Sequence, residues 1–387
     1  MNVPTLPRLF LAFLRLGAVS FGGPAMVVRI ERLAVLEKRW LSAEDFRLGV
    51  ALCQAMPGAT AMQCAAYVGL RARRWRGAVA TYVGFGLPAF SMMIVLAVVY
   101  QRTAGVLAVT SVLSGMRALV VALIAHAAWT FGRTSIKSFR GAVLAALSAA
   151  AFGLGISPIL IILGAGLAGA FLLRTRSEDP QSIPSRRAMR VLFWPAAIFL
   201  ALAGGMTAVL FLIDPRLATF CLITLKADIL AFGGGFASIP LLYREIVTIH
   251  QWLPSSVFMD GIALGQVTPG PIVITATFIG YQIAGIRGAF VGTAGIFLPS
   301  IFVVLLAEPW FRRYRSYPIF KGITGALVLS FVGLLASVTI QFGRAVTWNV
   351  PLILLAGLSF VALIRKVSVV WVVLVGAAVS AAFGLLS

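Results

Sequence analysis

The chain has 387 residues, 60% of them hydrophobic and only 11% charged, where a soluble domain carries about 25% charged residues. With a mean hydropathy of +1.01, a soluble globular protein is excluded and an all-α polytopic membrane protein is expected. The net charge of +21 does not point to nucleic acid, because Lys and Arg fall mostly in short loops between apolar segments, as the positive-inside rule produces.

Taken in chain order, the first apolar run covers residues 6–24. It resembles a signal peptide, but Arg15 interrupts it and no small-x-small cleavage site follows, so it is expected to be retained. The run ends in Phe21-Gly22-Gly23-Pro24. Residues 29–47 then mix basic and acidic side chains, which suggests an amphipathic helix at the interface or a re-entrant first segment. Further apolar runs lie near 48–70, 77–101, 105–129, 140–155 and 156–173, at lengths near the ~20 residues that cross a bilayer as a helix. The polar linker 174–190 and one more span, 191–213, follow. Six more runs come at 219–238, 257–283, 287–307, 320–342, 349–364 and 367–386.

The second six repeat the first. Residues 14–24, LRLGAVSFGGP, align with 225–235, LKADILAFGGG; GVALCQAMPG (49–58) aligns with GIALGQVTPG (261–270); LPAF (87–90) aligns with LPSI (298–301). The expected organisation is a first repeat at 1–173, a basic linker with one connecting helix at 174–218, and a second repeat at 219–387. Six, one and six runs give about 13 transmembrane segments, and an odd number of crossings between the two starts makes the repeats inverted. Loop charge agrees. Between runs two and three the first copy has Arg71, Arg73, Arg74 and Arg76 against Arg287; between three and four it has Arg102 against Arg312, Arg313, Arg315 and Lys321. Homologous loops alternate in basicity, which puts the N-terminus in the cytoplasm. Residues 29–47 dissent from that alternation, because a crossing first segment would put their basic side chains outside.

Inverted repeats with broken helices are typical of secondary transporters, with the substrate near the midplane. Each copy has two breaks: Gly22-Gly23 and Gln54…Pro57-Gly58 in the first, Gly233-Gly234 and Gln266-Val267-Thr268-Pro269-Gly270 in the second. Proline removes a donor and glycine takes conformations other residues avoid. In hydrocarbon such backbone survives only within protein or along a cavity. A half-helix that starts after a break offers free N–H groups and the positive end of its dipole, which suits an anion. Gln54 and Gln266 add amide donors without a buried charge. A purely structural kink, with Gln capping freed carbonyls, is the competing explanation. Arg15 and Lys226, at equivalent repeat positions, and Arg117 in mid-segment are candidate cations of the site, since intramembrane charges are costly and face cavities or partners. Asp228, one step beyond Lys226, is read as its neutralising partner, and Asp260 as a boundary residue.

Cys53, Cys64 and Cys221 show no metal or disulfide spacing, and His126 and His250 are isolated. No cofactor or metal is expected. No phosphate-binding loop marks an ATP-driven pump, and no acid–base pair marks an enzyme.

The FGGP break, the Trp-Leu pair followed by F-x-x-G-x-A-L-x-Q-x-x-P-G, the Y-x-G-x-x-x-R-x-x-R-G stretch and the later Leu-Pro resemble the chromate transporter family, across both halves of the chain. That resemblance implies a bacterial inner-membrane carrier conferring chromate resistance by gradient-driven exchange (an antiporter), with sulfate as a related or competing oxyanion. It assigns the site to Gly22, Gly23, Pro24, Gln54, Pro57, Gly58, Gly233, Gly234, Gln266, Pro269 and Gly270. The chain departs from the pattern in PGAT (57–60), where PGP is frequent, and in Gly235, where the first copy has Pro24. Another oxyanion carrier, an anion channel and a membrane-embedded enzyme are the alternatives; oligomeric state is open, a homodimer included.

Overall fold

A computed structural model describes residues 4–103, 105–172, 186–314 and 318–386, and these are helical with no strand among them. Residues 173–185, most of the basic linker, lie outside the described residues, as does Arg315; the side chains of Arg312 and Arg313 are likewise not described. The first copy contains α1 (Leu6–Val19), α2 (Gly23–Glu31), α3 (Ala43–Ala55), α4 (Thr60–Thr103), α5 (Leu107–Ser135), α6 (Phe139–Gly153) and α7 (Pro158–Leu172). After the connecting α8 (Arg186–Ile213), the series recurs as α9 (Pro215–Ile229), α10 (Ser238–Tyr243), α11 (Ser255–Val267), α12 (Thr275–Tyr314), α13 (Pro318–Ala345), α14 (Val350–Ile364) and α15 (Val369–Leu386). Both α2 and α10 run on into a wider π-type coil, Arg32–Glu37 and Arg244–Ile249.

The longest helices fold back on themselves. In α4, Arg73 (φ −145°, ψ 32°) and Arg74 (φ 53°, ψ −149°) reverse the chain. In α12, Ala284 (φ −149°, ψ 32°) and Gly285 (φ 59°, ψ −145°) make the same turn. Glycine takes the second position readily, whereas Arg74 holds it at a strain of about 1–3 kcal/mol. The two arms touch through backbone: a Cβ on Gly69 would lie 2.1 Å from the Gly77 carbonyl oxygen, and one on Gly280 2.0 Å from that of Gly288. Thr81 Oγ1 donates to the Ala65 carbonyl at 2.7 Å, and Thr277 and Thr293 share a hydroxyl hydrogen bond at 2.7 Å. Small residues permit this approach where lipid gives no hydrophobic drive between helices.

The first arm of each pairs antiparallel with the helix before it, Gly49 lying on the Tyr67 ring and Gly261 on the Phe278 ring. α3 and α11 each have 13 residues, about 20 Å at 1.5 Å per residue, short of the ~30 Å hydrocarbon core. The runs near 48–70 and 257–283 therefore do not cross; each enters, turns at its Pro-Gly, and returns. The same holds for the breaks at Gly22 and Gly233. Arg73 Nε donates to the Pro4 carbonyl at 2.8 Å, and Arg71 pairs with Asp45 at 3.2 Å. The starts of α1 and α3 thus lie at one turn, and the chain between them goes in and comes back. In the second copy the Arg216 guanidinium sits 5.3 Å over the Trp252 ring, tying the start of α9 to the residues before α11. Residues 29–47 consequently return to the face carrying Arg71–Arg76, which removes their disagreement with the loop charges.

The second arms cross. Tyr82 OH donates to the Phe297 carbonyl at 2.7 Å, and the Phe90 and Phe290 rings lie 4.9 Å apart; numbers rise along one arm as they fall along the other, so the copies are inverted. Among the described residues five helices are long and apolar enough to cross a membrane, and α6, α7, α14 and α15 form shorter apolar pairs.

Candidate functional site

Two hairpins from each copy meet their counterparts where the arms of α4 and α12 cross. Four non-helical junctions converge there. Gly22 (φ 79°), Gly58 (112°), Gly233 (100°), Gly234 (95°) and Gly270 (124°) all occupy the positive-φ region. The Pro-Gly tip of each copy is bonded to the glycine break of the other. Gly58 N–H donates to the Ala231 carbonyl at 3.0 Å, and Gly270 N–H donates to the Ser20 carbonyl at 2.9 Å. Ser20 and Ala231 stand at equivalent repeat positions, so one pseudo-twofold relates the two bonds.

Helices begin at every junction: α2 after Gly22, α4 after Ala59, and short 3-10 turns (Gly235–Ala237 and Ile272–Ile274) leading into α10 and α12. First-turn N–H groups have no intrahelical acceptor, and their partial positive charges add where starts gather. Thr60 Oγ1 is 3.5 Å from where a Cβ on Gly234 would stand, so the start of α4 and the second copy's glycine break share one space.

The sequence-derived candidates divide. Gly22, Gly23, Pro57, Gly58, Gly233, Gly234, Pro269 and Gly270 belong to the four junctions. Gln54 and Gln266 close the helices that run into the tips; Gln54 is exposed, and Gln266 is half-buried with its Nε2 lacking a hydrogen-bond partner. Ser20 Oγ is buried without a partner too. Thr268, 1% exposed, spends its hydroxyl on the Gly265 carbonyl at 2.9 Å. Arg15 and Lys226 do not join the junctions: both are exposed, on faces of α1 and α9 opposite the buried Phe13, Gly17 and Asp228. Arg117 is tied elsewhere, its Nε and Nη2 donating to Asp260 Oδ1 and Oδ2 at 2.7 and 2.8 Å. Tyr100 OH donates to Asp260 as well, at 2.8 Å. Asp260 is therefore not a boundary residue but the fully buried acceptor of a bridge between α5 of one copy and α11 of the other.

Asp228 does not neutralise Lys226. It turns inward, 1% exposed, and its Oδ2 accepts from Ser300 Oγ at 2.7 Å, while Ser300 Oγ accepts from Ala59 N–H at 3.1 Å. Gln63 Nε2 donates to the Pro57 carbonyl beside it. Ser300, Gln63 and Tyr82 carry no sequence signal of this role. Ser300 lies in the repeated LPSI, but its partner Ala59 is 241 residues away.

The comparisons agree with this two-fold build. The chromate transporter family model matches the chain twice, over residues 7–170 and 218–381. An uncharacterized transporter of Methanocaldococcus jannaschii is 36% identical, covering 96% of this chain and 93% of its own. Chromate transport proteins of Cupriavidus metallidurans and Pseudomonas aeruginosa are 34% and 31% identical, covering 94% and 95% of this chain and 88% and 90% of theirs. No solved structure was found to match. Matched from end to end and once in each half, the chain belongs to the chromate transporter family.

Proposed function

We propose that this transporter exports chromate across the bacterial inner membrane, and that it holds the dianion among the four junctions with Gln54 and Gln266 as amide donors. The observation that carries the reading is the reciprocal pair of bonds, Gly58 to Ala231 and Gly270 to Ser20, which supports a single site built by both copies. Oriented N–H groups favour an anion there without a buried cation of their own. Sulfate shares chromate's charge and shape, so a site of N–H donors binds it as a competitor. The units 1–173 and 219–387 rock about the crossing arms of α4 and α12, opening the site to alternate faces, with an exchanged ion supplying the energy. The face bearing Arg71, Arg73, Arg74 and Arg76 is the cytoplasmic one by its charge, and the N-terminus lies on it.

The test is labelled chromate uptake into everted vesicles, with sulfate as competitor, for the native chain and for Gln54→Ala/Gln266→Ala. Sulfate-inhibited native uptake that the double variant loses, at equal membrane insertion, supports the reading. Equal uptake by both makes the glutamines structural, and no native uptake overturns the chromate assignment.

A further inference from the structure

The two tip-to-break contacts are equivalent in backbone and unlike in side chains. Beneath the Gly270 tip stands Ala89, whose Cβ would be 2.6 Å from a Cβ added to Gly270. Beneath the Gly58 tip stand Ser300 Oγ, Gln63 Nε2 and Asp228 Oδ1, at 2.1, 2.8 and 3.3 Å from the corresponding point. Repeat equivalence matches Ser300 to Ala89 and Asp228 to Gly17, so the carboxylate and the hydroxyl occur in one copy alone.

Asp228 has no counter-charge among the described residues. On α9 itself, Lys226 faces the other way and is exposed. From α4 the titratable group facing it is Tyr82, whose OH is committed to the Phe297 carbonyl. From α12 it meets Ser300. On α10 the titratable residue is Tyr243, bonded to Ser255, and on α8 residues 196–213 hold no titratable side chain. Asp228 Oδ1 and Gln63 Oε1 are both buried acceptors without a donor. The cluster has room for one more hydrogen, which a protonated carboxyl supplies, whereas the ionised carboxylate has its Oδ1 without a donor and no cation beside it. Asp260, with the Arg117 guanidinium and the Tyr100 hydroxyl on it, is the contrasting case of a carboxyl with a counter-charge.

We propose that Asp228 is the transporter's proton site, and that it takes up one proton as the oxyanion binds and releases it when the anion leaves, so that the proton offsets one charge of the dianion in transit while the exchanged ion still supplies the energy. The inference rests on the reading of the junctions as the anion site. The coupling runs through Ser300, which donates to Asp228 Oδ2 and accepts from Ala59 N–H at the start of α4. An ionised Asp228 and a dianion at that helix start compete for one positive end and repel each other. Binding of the anion therefore draws a proton from water onto Asp228 Oδ1, and by reciprocity the proton tightens the anion. The first copy, with Gly17 and Ala89, contributes no second proton.

The experiment is chromate binding to the purified native transporter by calorimetry, in two buffers of unequal protonation enthalpy, at a pH where free chromate is fully ionised. The expected result is one proton taken up per chromate bound, with affinity falling about tenfold per pH unit once Asp228 is ionised in the empty protein. Asp228→Asn, a neutral isostere of the acid, is expected to bind chromate with no proton uptake and a flat pH profile. Ser300→Ala, which breaks the link but keeps the carboxyl, is expected to flatten the profile in part. Native binding without proton uptake, or uptake that persists in Asp228→Asn, overturns the proton site while leaving the anion site standing. Absence of native binding overturns both.

Discussion

The Gly58–Ala231 and Gly270–Ser20 contacts are the same backbone event built twice, and they differ in what supports them. The first rests on a polar chain, Ala59 to Ser300 to Asp228; the second rests on Ala89, an inert methyl. Duplication preserves the part that geometry dictates, the positive-φ glycines and the bond across the repeat interface. It leaves the side chains beneath free to diverge, and one contact is polar while the other rests on a methyl group. The cross-copy ion pair Arg117–Asp260 is a third, asymmetric fastening, without a basic residue at the matching place in the second copy (Val328).

The largest effect is expected from that fastening. Asp260 is fully buried, so Arg117→Met leaves an unpaired carboxylate and lowers stability by about 3–5 kcal/mol, read from thermal unfolding in detergent. Arg117→Met with Asp260→Leu removes both charges and is expected to recover most of the loss; a double variant no better than the single would mean that the pair does more than neutralise itself.

The tips come next. Gly270→Ala is expected to reduce chromate flux by about tenfold or more, because the new Cβ meets Ala89 and the backbone strain adds about 1–3 kcal/mol. Adding Ala89→Gly removes the contact and should restore part of the flux. At Gly58 the same design fails on this account: Gly58→Ala with Ser300→Gly removes the nearest contact, leaves Gln63 Nε2 at 2.8 Å and cuts the polar chain, so flux should stay low. Equal rescue at both tips would erase the distinction between them.

Ser20→Ala is a smaller change. The hydroxyl is buried without a partner, so its removal should not lower stability, while chromate affinity is expected to fall a few-fold. Smallest of all, single cysteines at positions 39 and 74 should react with an impermeant reagent from one membrane face, and cysteines at 251 and 285 from the other. Labelling of 39 and 74 from opposite faces would contradict the returning hairpins.

Much of the fold is legible in the sequence because the repeat is. FGGP against FGGG and QAMPG against QVTPG locate all four breaks, and alternating loop charge gives the inversion. What the sequence does not disclose is whether a broken run passes on or turns back. A 13-residue leg and half of a crossing helix have the same composition, and the reversal at Arg73–Arg74 is set by φ and ψ in a stretch rich in helix formers. Residues 29–47 hold the one signal of it, basic side chains on the wrong face for a crossing segment. The candidate site divides along the same line. Its glycines and prolines are marked by backbone need, whereas Ser300, Gln63 and the Arg117–Asp260 pair acquire meaning only from neighbours hundreds of residues away. Arg15 and Lys226 mislead because helical position, and not repeat equivalence, decides which face a side chain takes.

The most direct test of the central claim is to locate chromium. In crystals of the transporter grown with chromate, an anomalous map at the chromium edge is expected to show one peak among the four junctions, within hydrogen-bond reach of the helix start at Thr60 and the Gly233–Gly234 break. A peak instead in the cavity of about 470 Å³ lined by Arg244 and Arg344, with none at the junctions, would contradict the account and make the four breaks a hinge.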